Sequence, residues 1–475
     1  MASIDLNLCH MSATEALAHF RAGTLSPLEL LDALIARSEA INPQLNALTY
    51  TFYERARDQA RKAEARYRSP DGRPRALEGI PVAIKDFHPV KGEITTFGSK
   101  IFENHRPDYT APTVDRLLKS GAIMHQRSTS PEFAYSGATH SPLWGITPNP
   151  WNREYTSGGS SGGAGAQVAA GMTTIADGTD GGGSIRIPAS ACGIVGYKPP
   201  FGRNPLDRDH ALETILHYGP MTRSVADAAL MQNVMSGPHP EDICSLREEV
   251  TIPERLEGIK GWKIALSMDL GFFEVAPEVR ENTLAAAAAF RDMGCTVEEV
   301  ALDWSYAIHD PYLAYWEGMA ATTLAQYLPQ WRAEMDPYMA GIIANGAGHK
   351  AATQYNCNLV RGEMYQALAP ILGQYDVLIC PALAVPSVTA EHDLADPDFC
   401  INGKPTEAYL GWNMCYPFNM VSQCPVICVP NGRSPETGVP IGLQIAARSF
   451  DDLRVFRAAA AFEAARPWQG ARPDL

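Results

Sequence analysis

Gly158-Gly159-Ser160-Ser161-Gly162-Gly163 is followed, after a short gap, by Gly178-Thr179-Asp180-Gly181-Gly182-Gly183-Ser184-Ile185-Arg186-Ile187-Pro188. The two stretches set Ser160 and Ser184 24 positions apart, each inside a glycine-rich loop. Glycine lets the backbone take positive φ and lets a ligand come close to the main chain. Consecutive N–H groups in such a loop can converge on an anion, as an oxyanion hole requires. A nucleophilic serine also needs a base to take its proton. Upstream, Gly79-Ile80-Pro81-Val82-Ala83-Ile84-Lys85-Asp86 offers one, a lysine closing an apolar run 75 positions before Ser160.

Composition bounds the rest. The chain has 475 residues, 45% hydrophobic and 19% charged, which is ordinary for a globular protein long enough to bury most of its unfolded surface. A net charge of −14 argues against a nucleic-acid surface, and no basic stretch with interleaved aromatics occurs. The ten cysteines form no CxxC pair and read mostly as small buried hydrophobes in a reducing compartment. With no signal-like start and no long apolar run, the expectation is a soluble cytoplasmic protein without a membrane partner.

The first 65 or so residues read as helices. Ser12-Ala13-Thr14-Glu15 and Ser26-Pro27-Leu28-Glu29 are capping boxes, the second with proline at the first helical position. Strands and helices then alternate. Strands are expected at 80–84, 122–125, 172–176, 296–300, 377–379, 426–429 and 441–445, and helices at 112–119, 161–170, 277–293 and 450–465. The 161–170 helix, built of small residues, is expected to pack close to a sheet. This pattern implies an α/β fold, a sheet covered by helices on both faces. Residues 302–374, rich in Tyr, Trp and Met, read as a helical insertion bordering the active site.

The three segments resemble the amidase signature family, whose triad joins a lysine, a serine preceded by a cis peptide bond and a nucleophilic serine. The resemblance continues through Pro131-Glu132-Phe133-Ala134, Thr147-Pro148-Asn149-Pro150-Trp151, Cys192-Gly193-Ile194-Val195-Gly196-Tyr197-Lys198-Pro199 and Gly219-Pro220-Met221-Thr222-Arg223. It returns in Pro417-Phe418-Asn419 and in Gly438-Val439-Pro440-Ile441-Gly442-Leu443-Gln444. One position departs from the pattern: Gly181 stands where the family often carries Thr or Ile, which loosens the loop and removes no donor. The resemblance implies an α/β/α fold around a large mixed sheet, in a single domain over 1–475. Within it, 1–66 are N-terminal helices, 67–235 the core with the triad, 236–424 a helical substrate region and 425–475 the strands and helix that complete the core.

The roles implied are Ser184 as nucleophile, Ser160 as relay across a cis Gly159–Ser160 bond, and Lys85 as base. Gly181, Gly182, Gly183 and Ser184 supply the oxyanion N–H groups. Ser161 is expected to cap the following helix or support the relay, and Asp180 and Arg186 to hold the nucleophile loop by hydrogen bonds. Lysine is ordinarily charged, so Lys85 must lie in a site that disfavours charge, with the Asp86 side chain pointing away. Phe133, Tyr135, Phe201 and Tyr218 are the candidate pocket residues, which would make the acyl or amine group apolar or aromatic. Amides, anilides, esters and carbamates (urethanes) all suit one acyl-transfer machine. No cofactor or metal is implied, the partners are a small amide-type molecule and water, and homodimers are common in the family.

Four other readings compete. Gly159-Ser160-Ser161-Gly162-Gly163 satisfies the G-x-S-x-G elbow, but no strand pattern precedes it and the last histidine, His392, falls in a polar loop. A metal hydrolase lacks an HExxH pair or a Cys/His cluster among the twelve histidines. A glutaminyl-tRNA amidotransferase subunit shares fold and triad, although Asn402–Pro405 through Tyr416–Asn419 looks more like freestanding amidases. A catalytically dead binding scaffold would have no need of all three triad residues together.

Overall fold

Eleven strands form one mixed sheet in the computed structural model, which describes residues 4–475. In spatial order they are Leu48–Thr51, Ile123–Ser128, Pro81–Lys85, Ile175–Asp180, His217–Thr222, Val195–Lys198, Val426–Arg433, Pro440–Ala446, Val377–Pro381, Lys263–Leu266 and Thr296–Glu299. Pro81–Lys85 runs parallel to both its neighbours. The middle of the sheet, from Ile175–Asp180 to Val377–Pro381, is antiparallel, and the far edge is parallel again.

Both faces are buried, and the strands show why. Side chains alternate across a strand. Ile264 and Leu266, Val377 and Ile379, and Ile427 and Val429 enter one apolar cluster, with Ala286 and Phe290 of the helix Pro277–Asp292 and Phe456 and Phe462 of the helix Asp452–Ala465. The residues between them, Ala265, Leu378, Cys380, Val426 and Cys428, enter a second cluster with Val168, Ile187, Tyr312 and Trp316. A sheet apolar on both sides needs a helical layer on each. The fold is therefore the α/β/α arrangement expected.

The capping boxes fall where the sequence puts them, with Ser12 and Glu15 closing the start of Ala13–Ala22 and Ser26 and Glu29 that of Pro27–Leu45. Residues 302–374 are helical as expected, in His309–Leu324, Pro337–Ala347 and Ala351–Gln374. The small-residue helix, Gly162–Ala169, packs on the sheet at backbone range: a Cβ on Gly163 would lie 2.4 Å from the Thr129 nitrogen.

Four strands of the sheet, Leu48–Thr51, Val195–Lys198, His217–Thr222 and Lys263–Leu266, go beyond the sequence expectation, and one is displaced. The strand expected at 172–176 instead runs Ile175–Asp180, through a glycine and two aspartates. Its pairing with Pro81–Lys85 on one side and His217–Thr222 on the other supplies the ladder that its composition does not advertise. That displacement carries Asp177, Thr179 and Asp180 to the sheet's C-terminal edge beside Lys85.

Most cysteines are buried and all ten are free, with only Cys400 exposed and Cys244 half-buried. Among the described residues no helix is long and apolar enough to cross a membrane.

Candidate active site

Lys85 ends its strand. Val82 and Ile84 point into the cluster under the N-terminal helices, while Ala83 points the other way, toward Ala164 and Val168. Lys85 shares the parity of Ala83, so its side chain crosses to the face where the Gly162–Ala169 helix begins. There its Nζ lies 2.6 Å from Ser160 Oγ and 2.7 Å from Thr179 Oγ1. The whole lysine is inaccessible to solvent. Burial pulls it down to about 7, against Asp177 and Asp180, which push it up. Asp86 is bound to Thr96 through both carboxylate oxygens, as the need for an uncharged lysine demanded.

The Gly159–Ser160 bond is cis. Ser160 is fully buried, and Ser184, 7% exposed, opens to a cavity. Ser161 occupies the N-cap position of its helix but makes no capping bond. Its hydroxyl accepts from Thr179 N at 3.2 Å, and its own N–H donates to Ser184 O at 3.2 Å. Ser161 therefore ties the strand end at Thr179 to the loop that carries Ser184 and does not cap its helix.

Asp180 and Arg186 hold the loop from beneath. Arg186 Nε and Nη2 donate to the two oxygens of Asp180 at 3.0 and 2.9 Å, and Gly183 N and Ile185 N donate to the same carboxylate. Burial raises the Asp180 carboxyl, but the Arg186 guanidinium outweighs it and holds the group well below the usual carboxylate range. The Gly183 N–H is thus turned to Asp180 at 2.8 Å and does not face the cavity, a correction to the four-donor expectation. Gly183, at φ +112, occupies a conformation that favours glycine. The N–H groups of Gly181, Gly182 and Ser184 take no partner among the described residues.

The late segments close the ring. Asn419 Nδ2 donates to Asp180 O and Oδ1, both at 2.9 Å, while its Oδ1 accepts from Arg186. Gln444 Oε1 accepts from Arg186 Nη1 at 2.7 Å. Asn413 Nδ2 and Tyr312 OH donate to the carbonyls of Gly182 and Gly181. The departure at Gly181 also has a physical reason. A Cβ there would lie 2.8 Å from the Trp316 ring, so the glycine makes room for an aromatic side chain from the insertion.

The cavity, about 530 Å³, is floored by Ser160, Thr179, Gly181 and Ser184. Phe133 and Tyr135 line it as expected, joined by Phe97, Phe102, Trp316 and Tyr327. The Phe102 ring stands edge-on to Phe97, Phe133 and Tyr327 at 5.4–5.9 Å. Phe201 and Tyr218 do not line it. Tyr218 is buried in its strand with its hydroxyl on Asp207 at 2.7 Å, and Phe201 packs on the cluster beneath the N-terminal helices. Tyr218 stands opposite Thr179 in the strand pair, but His88 packs on its ring and its hydroxyl turns to Asp207, contacts that aromatic character does not report.

The amidase family model matches residues 29–456. This chain belongs to the amidase signature family. As a member it is an amidohydrolase, and its curated relatives match nearly end to end. An acylamidase of Rhodococcus erythropolis is 37% identical over 99% of this chain and 98% of its own length. A glutamyl-tRNA(Gln) amidotransferase subunit from Geotalea daltonii is 34% identical over 95% and 96%. Among solved structures, a bacterial aryl acylamidase of the amidase signature family superposes with a TM-score of 0.89 at 30% identity, covering 97% of each chain. A 6-aminohexanoate cyclic dimer hydrolase with bound substrate gives 0.85 at 27% identity, over 98% of this chain and 99% of its own.

Proposed function

We propose that this amidohydrolase is a freestanding acylamidase that cleaves amides of apolar or aromatic groups through an acyl-enzyme, with anilides, esters and carbamates (urethanes) accepted by the same machinery. The observation that carries the reading is the 2.6 Å contact between a fully buried Lys85 amine and Ser160, at the floor of the cavity onto which Ser184 opens. Neutral Lys85 takes the Ser160 proton as Ser160 takes that of Ser184. Ser184 Oγ then bonds to the substrate carbonyl carbon, and its electron pair moves onto the carbonyl oxygen. Gly181, Gly182 and Ser184 N–H groups receive that oxyanion; losing one such donor typically costs about 10²–10³ in rate. Ser160 hands its proton to the leaving nitrogen as the C–N bond breaks, and Lys85 returns one to Ser160. Water repeats the sequence on the ester, releasing the acid and restoring Ser184.

The aromatic wall of Phe97, Phe102, Phe133 and Tyr327 supports an apolar substrate group. The continuous sheet, which takes strands from residue 48 to residue 446, supports the reading of the chain as one domain. The test is twofold. Ser184→Ala is expected to abolish labelling by a fluorophosphonate, and persistent labelling moves the nucleophile elsewhere. The purified chain is expected to hydrolyse a simple anilide without ATP or tRNA; a requirement for either favours the amidotransferase-subunit reading instead.

A further inference from the structure

Behind Lys85 lies a buried pair that the mechanism above does not use. Asp177 is fully buried on the strand next to Lys85. Its Oδ1 accepts the Lys85 backbone N–H at 2.8 Å. Its Oδ2 lies 3.3 Å from His88 Nε2, off the angle of a hydrogen bond, and neither that oxygen nor either His88 nitrogen has a hydrogen-bond partner among the described residues. The His88 ring is fully buried too and stands edge-on to Tyr218 with centroids 4.4 Å apart. A buried carboxylate without a full set of protein donors is costly to keep for packing alone.

The surroundings leave Asp177 as the free charge of the lysine site. Asp86, on the Lys85 strand, is bound to Thr96, and Arg127 Nε stands 3.9 Å from it. Arg127, on the other flanking strand, donates to the carbonyls of Lys85 and His88. Asp180 is committed to Arg186. Asp207 is bound to Tyr218 and His210 on the far side of His88. Thr179 and Ser160 bring hydroxyls without charge. Phe87 presents its ring 5.6 Å from Nζ.

We propose that Asp177, with His88 at its far oxygen, is a positioning residue that supplies negative charge to Lys85 while the lysine carries the proton of Ser160. The inference rests on the triad reading above. The pair is amine and carboxylate at rest and ammonium and carboxylate once Ser160 has given up its proton, which Lys85 later returns to Ser160, so no further donor is needed. Burial raises the Asp177 carboxyl, and the Lys85 N–H together with the Arg127 and Lys85 charges opposes it, so the ionised form is the one that its neighbours favour. His88, which burial pushes down to about 3, stays neutral, and with its proton on Nε2 the ring dipole faces the ionised carboxylate at 3.3 Å.

Asp177→Asn keeps an oxygen for the Lys85 N–H and removes the charge. His88→Phe keeps a ring against Tyr218 and gives up no other hydrogen bond. The assay is kcat/KM against pH on a chromogenic anilide, with Lys85→Ala alongside. The acid limb reports the loss of the lysine proton, and an opposite charge nearby raises a lysine pKa by about 1–3 units. Asp177→Asn is expected to move the limb to lower pH by about one unit or more and to lower the plateau rate by up to about tenfold. His88→Phe is expected to move it the same way by less, and it reads the inference alone should the Asn variant not fold. A backbone clamp without an electrostatic role changes the rate and leaves the limb in place. That result, with Lys85→Ala inactive, overturns this inference and spares the triad. Amide turnover by Lys85→Ala overturns both.

Discussion

Arg186→Met tests the support beneath the nucleophile loop. The guanidinium makes five hydrogen bonds, two to Asp180 and one each to Cys415 O, Gln444 Oε1 and Asn419 Oδ1, and it has no solvent contact. Methionine fills much of the space and leaves the Asp180 charge buried without its cation. Breaking a buried pair from one side costs about 3–5 kcal/mol, against about 0–1 kcal/mol for an exposed one. In the wild type the folded-state pKa of Asp180 is depressed. Its contribution is therefore fully present above the unfolded value of about 3.9 and is lost as pH falls through the folded one. In the variant burial is opposed mainly by the N–H groups of Gly183, Ile185 and Asn419, without the guanidinium that outweighed it, so protonation of Asp180 becomes favourable on acidification. The stability gap between the two proteins is thus expected to be largest at pH 8 and to narrow toward pH 5. Urea unfolding midpoints at both values, with matched m-values, measure it. Fluorophosphonate labelling of Ser184 is expected to slow in parallel, because Asp180 then holds Gly183 less firmly. A gap below about 1 kcal/mol, or one that widens on acidification, refutes the reasoning.

Three further outcomes are expected. Wild-type kcat/KM is expected to rise with pH through about 7, because the proposed base works when neutral and burial brings Lys85 to that value; a limb near 10 contradicts it. Gly181→Ala loses about 1–3 kcal/mol of stability, since the new methyl meets the Trp316 ring at 2.8 Å, and Trp316→Leu in the same chain recovers part of it; thermal unfolding of the single and double variants reads this out. Phe102→Ala removes the ring at the centre of the aromatic wall, so KM rises several-fold for anilides and little for small aliphatic amides; equal changes for both place the aryl group elsewhere.

The chain order alone singles out Lys85, Ser160 and Ser184 as candidates and gives the helix starts at Ser12 and Ser26, because those signals are local: glycine runs, a capping box four residues long, an apolar run that ends in a charge. The α/β class follows from alternation of the same kind. What the sequence leaves open are contacts between distant segments. Asp177 and Thr179 lie beyond the strand that the sequence predicts, because a strand containing Asp, Gly and Asp declares itself only through its neighbours. Asn419 and Gln444 carry the family resemblance but no role until folding sets them against Arg186. Tyr218 and Trp316 are both large aromatics; one is expected in the pocket and lies outside it, the other lines it, because the segments that fold against each ring decide which is left facing the cavity. The Gly183 N–H makes the same point on a smaller scale. Its glycine is visible in the sequence, but the direction of one N–H is fixed by a carboxylate three residues earlier, itself held by an arginine on the next helix and an asparagine more than two hundred residues away.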